Sequence, residues 1–483
     1  MLLRRTPARV EREKEEARVD GVVTPDSLEK LVSKHDKTIG ADGEEEFGGQ
    51  FGALAIMVFS HAVVYGLYLA LEGGTSPLPS IGQESVGEYA ARLYQGLSTA
   101  SPTLEGFLLY TGFLVGTALL SAVCPGIEIS GRPLPSLGGK HLMYNCNGVA
   151  VWWATLLALA LCEYTQVAPL ARWTHPDVFG SVLTWSVIWG DAVSILLWAG
   201  ALLTKKAEQP TGKPFYDVFM GVVLNPRIGS LDVKMWSELR MPWIFLFVLT
   251  ASCAAREFER FGYVSAPLIF MCLAHGLYAN ACAKGDHCVP TTWDIFHEKW
   301  GWMLIFWNLC GVPLTYCVSS RWLALYPDTH DGVPLQHSTA YTVACFALLI
   351  AAYVVFDQAN SQKNEFRLRR AGVVIDRVAF PQLPWAILKD PQFLKTANGG
   401  TLLVDGWYQY CRKPHYMADI LQALCWGLIC GFEVLLPYWY VCFFVPMIIH
   451  RAVRDDARCA EKYGADWDTY IRRVPYVFVP GLV

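Results

Sequence analysis

Apolar stretches recur along the chain from Phe51 onward, separated by shorter polar segments. Most approach the roughly 20 residues that an α-helix needs to cross about 30 Å of hydrocarbon. They fall at 51–72, 105–124, 148–167, 178–203, 242–257, 262–282, 301–324, 338–357, 417–432 and 434–450. The pattern predicts an all-α, polytopic integral membrane protein with about ten transmembrane helices. The last two stretches are short, and Pro437 between them points to a tight helical hairpin. The pair 242–257 and 262–282 is so closely spaced that its count is open.

Before Phe51 the pattern is absent. Residues 1–46 mix charges without apolar periodicity, and Arg4 and Arg5 lead into no signal-peptide core. This stretch is expected to be a disordered cytosolic tail, and 47–483 a single transmembrane domain. Basic residues then orient the spans, because Lys and Arg gather on the cytoplasmic side. The segment after the fourth span carries Lys205, Lys206, Lys213, Arg227, Lys234 and Arg240, and the segment from Lys363 to Lys413 carries nine basic residues. Arg451, Arg454, Arg458, Lys462, Arg472 and Arg473 follow the last span, whereas 73–104 holds only Arg92 and 325–337 none. Both termini are therefore expected in the cytosol.

Composition narrows the class further. Hydrophobic residues make up 53% of the 483 positions and charged ones 17%, below the roughly 25% usual for soluble chains. The formal net charge of −4 excludes a basic nucleic-acid binder. Fifteen cysteines lie scattered, mostly in apolar runs, with no Cys-x-x-Cys pair, and read as small apolar packers. Cys282, His287 and Cys288 cluster with His275, where packing is the expectation and no metal is assigned.

A channel or carrier should line its path with charges in mid-helix. The first four spans hold few, Glu163 and Asp191 being the clearest. Polar and aromatic residues concentrate instead in the loops after even-numbered spans. That distribution favours an enzyme with an apolar substrate in the bilayer and a soluble cosubstrate from the cytosol. Three segments carry the chemistry. Gly212 to Arg227 mixes aromatics with Asp217, Asn225 and Arg227, and serves either as a structural cap or as a ligand contact. In 357–367, Lys363 and Arg367 stand four apart on one helical face. They fit either headgroup snorkelling or a clamp on a phosphate. The third segment runs from Leu402 to Tyr416 and resumes after the hairpin from Ile449 to Trp467, so that its polar residues converge on one pocket. No Gly-x-Gly-x-x-Gly occurs, which argues against a Rossmann dinucleotide site.

In these segments the chain resembles the membrane sterol reductases, the family of sterol C-14, C-7 and C-24(28) reductases and the lamin B receptor. Two signature stretches carry the resemblance: Leu224-Asn-Pro-Arg227, and His450-Arg-x-x-Arg-Asp through Cys459 to Lys462-Tyr-Gly464. The runs Ala274–Gly285, Trp302–Asn308 and Gly311–Tyr316 are most similar to the C-24(28) branch. The resemblance covers everything after the tail. It implies an endoplasmic-reticulum, multi-pass enzyme of ergosterol biosynthesis, with NADPH as hydride donor and the C-24(28) alkene of a sterol side chain as target. Sterol C-14 or C-7 reduction, or sterol binding without catalysis, is the alternative. A methyltransferase with another adenosine cofactor is a more distant one.

By the same resemblance the cofactor contacts fall mainly within 357–483. They are Lys363, Arg367, Leu403, Tyr408, His415, Tyr416, Asp455, Cys459, Ala460, Glu461, Lys462, Tyr463 and Tyr470. Position 415 departs from the family, where Asn commonly precedes the Tyr. Ala281 stands where the C-14 and C-7 branches have an acid, so a mechanism needing that acid does not transfer. An isolated alkene accepts hydride only once polarised. Protonation at carbon 28 places a tertiary cation at carbon 24, which hydride then quenches. Tyr316, in the family's Pro-x-x-Tyr pattern, is the expected proton donor. Its ordinary pKa near 10 calls for a relay, for which Asp217, Asp357 and Asp405 are available. Trp302, Trp307 and Asn308 are expected to contact the sterol. Nucleic acid and metal are not expected partners; sterol and membrane lipid are.

Overall fold

The computed structural model describes residues 45–72, 78, 84–134, 137–370, 372, 379–380 and 382–482. Of the charged stretch 1–46, only the last two residues fall among them. Among the described residues, nine helices are long and apolar enough to cross a membrane. The closely spaced pair is resolved into two, α8 and α9, named below. The stretch 417–432 appears as a 15-residue helix. At 1.5 Å per residue that is about 22 Å, short of a full crossing.

The elements run α1 (Gly49–Glu72), α2 (Val86–Ser98), α3 (Leu104–Val123), β1 (Ile127–Leu134), β2 (Lys140–Cys146), α4 (Gly148–Thr165), α5 (Pro176–Leu203) and α6 (Pro214–Met220). Next come β3 (Arg227–Ile228), β4 (Leu231–Asp232), α7 (Val233–Leu239), α8 (Met241–Phe261), α9 (Ala266–Gly285) and α10 (Trp302–Thr329). The chain closes with α11 (Thr339–Arg370), β5 (Phe393–Lys395), β6 (Thr401–Leu403), α12 (Pro414–Leu428), α13 (Trp439–Tyr463) and α14 (Ala465–Arg473). Among the described residues the strands pair as three antiparallel hairpins, β1–β2, β3–β4 and β5–β6. Helix α2 lies within the loop between the first two spans. Ser85 starts it with a capping box, accepting from the Glu88 amide while the Glu88 carboxylate accepts from the Ser85 amide.

The described chain forms two compact units. The first holds residues up to Tyr263 together with Tyr278–Cys317; the second holds Val264–Leu277 and everything from Val318. In the first unit, Phe245 of α8 gathers an aromatic core. Its ring centroid lies 4.9 Å from Phe113, 5.4 Å from Tyr110 and 6.0 Å from Trp173. Residues Trp307–Gly311 form a π-helical turn inside α10. Pro313 follows it and has no N–H to offer the carbonyl four residues back. That carbonyl, Leu309 O, instead accepts from the buried Tyr110 hydroxyl at 2.6 Å. A second knot secures the polar loops. Buried Arg240 donates to Asn147 Oδ1 (3.1 Å), to the Asn145 carbonyl (3.0 Å) and to Asp286 Oδ2 (3.2 Å), which also accepts from the Gly148 amide. Because the buried charge is paired and hydrogen-bonded, its desolvation is largely offset.

In the second unit the core follows α11, α12 and α13. Trp426 stacks on Tyr440 (4.5 Å, 17°) and meets His275 edge-on at 4.4 Å. Phe270 meets Phe346 at 5.1 Å. Helix α11 has 32 residues, about 48 Å, so it outruns the hydrocarbon and carries its polar end, from Asp357 on, beyond the apolar stretch.

Candidate functional site

The polar end of α11 organises the residues expected at the cofactor, in the second unit, through two glutamines one turn apart. Gln358 Oε1 accepts from the Trp407 indole at 2.9 Å, and Gln362 Oε1 from the Trp407 amide at 3.0 Å. Their amide nitrogens donate to the Pro384 and Trp385 carbonyls at 2.6 and 3.0 Å. The 384–407 segment is thereby pinned to the helix. Gly406 must be glycine in this turn: its φ is +60°, and a Cβ there would collide with Gln362. The turn delivers Tyr408 into a buried cluster with Leu403, Phe366 and Ala359.

Around Tyr408 the expected residues assemble. Lys363 Nζ lies 5.6 Å from the centre of its ring, and its hydroxyl is 3.2 Å from His415 Nδ1. The rings of His415 and Tyr416 are 4.4 Å apart. Lys413 lies 5.7 Å from the Tyr416 ring and forms an ion pair with Asp455 near the end of α13. The neighbouring Arg412 anchors the site to the C-terminal segment. It donates to the Val474 and Pro475 carbonyls at 3.0 and 2.7 Å and lies 3.7 Å from Asp456. Tyr470 belongs to a second buried cluster with Val404, Trp467 and Val474, against which Cys459 and Tyr463 pack.

Electrostatics show how concentrated the positive charge is. Burial holds the His415 pKa well below the imidazole range, and Lys363, Lys413, Arg367 and Arg451 push it the same way. The imidazole is neutral at pH 7. Lys413 drops to about 8, chiefly by burial, with Arg412 and Arg367 adding to the fall and Cys459 and Asp456 opposing it. Tyr408 is raised by burial. Four cations therefore sense one half-buried imidazole. Arg367 itself is exposed, as are Ala460, Glu461 and Lys462. Those three lie on the open face of α13, where Lys462 is tied in through its carbonyl to Asn398 (3.1 Å). The sequence reading passed over Lys413 among the loop's basic residues, although its place just before Pro414 was a usable sign.

The first unit holds the residues expected at the sterol. Trp307 donates its indole N–H to the Tyr316 hydroxyl at 3.3 Å, and Tyr316 is buried. Trp243 stands 6.2 Å from the Tyr316 ring and 4.8 Å from Tyr278, placing a second phenol in the same aromatic group. Tyr278 was not singled out from sequence, although it lies inside the Ala274–Gly285 run. Asn308 is half-buried beside Trp307. Trp302, at the other end of this stretch, stacks on Phe306 and donates to Asp191 Oδ1 at 2.7 Å.

Two of the proposed relay acids are engaged with the backbone. Asp217 accepts from the Thr211 amide and hydroxyl and from the Gly212 amide at 2.7–3.1 Å, so it caps a turn. Asp405 does likewise for the Gly406 and Gln392 amides at 2.7 and 3.0 Å. Asp357 is buried in α11. The Leu224–Arg227 motif is used structurally. Asn225 Oδ1 accepts from the Tyr144 hydroxyl at 3.2 Å, and Arg227 donates to the Met143 carbonyl and Asp232 at 2.8 and 3.1 Å. The motif locks β1–β2 to β3–β4. His275 packs on Trp426, and His287 Nδ1 lies 3.1 Å from the Lys284 carbonyl. Among the described residues no three His, Cys, Asp or Glu side chains are arranged to hold a metal.

The long apolar helices define the class as a multi-pass membrane protein. Residues 41–483 match the model of the Ergosterol biosynthesis ERG4/ERG24 family, and the chain belongs to that family of membrane sterol reductases. It is 41% identical over 442 residues to a Delta(24(24(1)))-sterol reductase of Aspergillus fumigatus, covering 90% of this chain and 92% of the relative. It is 42% identical over 452 residues to a Delta(24(24(1)))-sterol reductase of Gibberella zeae, covering 93% and 74%. A Delta(14)-sterol reductase of Dictyostelium discoideum is 34% identical over 443 residues, covering 91% and 92%.

Proposed function

We propose that this chain is an NADPH-dependent sterol C-24(28) reductase of the endoplasmic reticulum, acting at the last step of ergosterol biosynthesis. Carbon 28 is also written 24(1), so the printed activity of the two fungal relatives concerns this alkene. The observation that carries the reading is their 41% and 42% identity over nearly the whole chain, against 34% for the C-14 relative.

The second unit's chemistry fits the cofactor. A cluster of Lys363, Arg367, Lys413 and Arg451 around one neutral imidazole suits a ligand with three phosphates, and NADPH carries its third on the 2′-hydroxyl. Lys363 and Arg367 are assigned to phosphate; Tyr408, His415 and Tyr416 offer flat faces and hydroxyls to the rings. Leu403, Asp455, Cys459 to Tyr463 and Tyr470 complete the contacts. Bound there, NADPH supplies hydride for carbon 24.

Tyr316 protonates carbon 28. Its hydroxyl receives the Trp307 N–H, which stabilises the phenolate left by proton transfer. Buried aromatics around it keep water from a cationic carbon. Of the relay acids, Asp217 and Asp405 accept from backbone amides and so serve as turn caps. Trp307 and Asn308 contact the sterol beside Tyr316.

The test is a microsomal assay with NADPH and three sterols, unsaturated at carbon 24(28), 14 or 7, with products read by mass spectrometry. Turnover of the 24(28) sterol alone is expected. Reduction of a ring alkene instead overturns the assignment.

A further inference from the structure

Asp191 sits sixteenth in the 28-residue span α5, and His61 thirteenth in the 24-residue α1. Both are in mid-helix, where an ionised group is costly and is kept for a task. Asp191 is fixed from two sides: Oδ2 lies 3.0 Å from His61 Nε2, and Oδ1 accepts from Trp302 Nε1 at 2.7 Å. His61 is oriented in turn by its Nδ1, 2.7 Å from the Met57 carbonyl. Trp302 is clamped between Phe306 (4.3 Å, 17°) and Phe219 (6.0 Å, 24°). The carboxylate is therefore rigid.

It is also unfinished. A carboxylate has about four acceptor positions, and these two partners use two. The Asp191 and His61 side chains remain 35% and 31% exposed. In a bilayer that opening faces apolar material, where an acceptor without a donor is unfavourable. A sterol is hydrocarbon except for its 3-hydroxyl, which is the one donor it brings.

We propose that Asp191, held by His61 and Trp302, accepts a hydrogen bond from the 3-hydroxyl of the sterol and so fixes how far the molecule slides along α10. The assignment of Tyr316 as proton donor supplies the second end of the ruler, and to that extent the inference rests on the proposed function. Trp302 and Tyr316 lie fourteen positions apart on one helical stretch, at most about 21 Å, since the π-helical turn between them rises less than the α-helical 1.5 Å per residue. That separation exceeds the distance from a sterol's 3-hydroxyl to its side-chain alkene by several ångström, and is much longer than the distance to any ring alkene. Holding one end selects an alkene in the side chain over one in the ring system.

The test is equilibrium binding to the purified full chain in detergent. The ligands are a 24(28)-unsaturated sterol and its 3-methyl ether, which keeps shape and loses the donor. Wild type is expected to bind the alcohol roughly 10- to 100-fold more tightly, the span for a hydrogen bond to a charged group. Asp191→Asn is expected to bind the alcohol more weakly while leaving the ether nearly unchanged, compressing the ratio. A merely structural aspartate weakens both ligands equally. Equal binding of alcohol and ether by wild type overturns the inference, and needs no variant to fold. Turnover of the same pair separates the two readings: binding that discriminates without reduction refutes the reductase assignment and leaves the hydroxyl site standing.

Discussion

The two regions proposed to carry the chemistry are built on opposite physical plans. The proposed cofactor region of the second unit gathers Lys363 and Arg367 of α11, Lys413 just before α12 and Arg451 of α13, held by glutamines, turns and a C-terminal clamp. The proposed substrate region of the first unit strings Trp302, Trp307, Asn308 and Tyr316 along one interrupted helix, where the polar contacts are few and directional. A polyanion from water is met by pooled charge, which tolerates exposure. A nearly featureless lipid is met by shape and by single hydrogen bonds at chosen points. Loss of one cation should therefore weaken binding by degrees, whereas loss of one substrate-side hydroxyl should stop the reaction.

The sharpest break is Tyr316→Phe. It is expected to lower kcat roughly 100- to 10,000-fold, the usual range for a general acid, with NADPH affinity unchanged by titration. Next is Lys363→Ala, expected to raise the NADPH Kd roughly 10- to 100-fold while sterol binding holds, measured by calorimetry. Smaller again is a pH effect. Lys413 titrates near 8, so its charge is present below that pH and is lost as pH rises through it. NADPH affinity should fall above about pH 8, by up to about tenfold per pH unit, and Lys413→Arg should flatten the decline. The least effect is expected from Arg227→Ala. Its half-exposed pair with Asp232 and its bond to the Met143 carbonyl are worth about 1 kcal/mol together. A modest loss of thermal stability, with both ligands bound as before, would confirm that this signature arginine ties two hairpins.

The same contrast governs what the sequence made legible. Apolar runs long enough to span announce themselves, so most helices were readable, whereas the close spacing of α8 and α9 left their separation open until the structure showed two helices. Helix α12 was harder, because 417–432 mixes apolar residues that face protein with too few turns to cross alone. The hairpin β1–β2 lacks a clean alternation. Helix α2 did carry a readable sign, Ser85 with Glu88 three residues on, hidden by attention to hydropathy. In the cofactor region, local spacing pointed to Lys363 and Arg367, but Lys413 and Asp455 meet only through folding. The trio His61, Asp191 and Trp302 comes from three helices, and Asp191 on its own was just an unusual mid-helix charge. Asp217 and Asp405 show the reverse error, since acids of catalytic type turned out to cap turns.

The measurement that bears most directly on the central claim follows the two hydrogens separately. The enzyme is given the 24(28)-unsaturated sterol with NADPH deuterated at the transferring position, and then unlabelled NADPH in heavy water. The account predicts one deuterium at carbon 24 from the cofactor and one at carbon 28 from solvent. Cofactor label at carbon 28, label in the ring system, or a product carrying no cofactor label would contradict it.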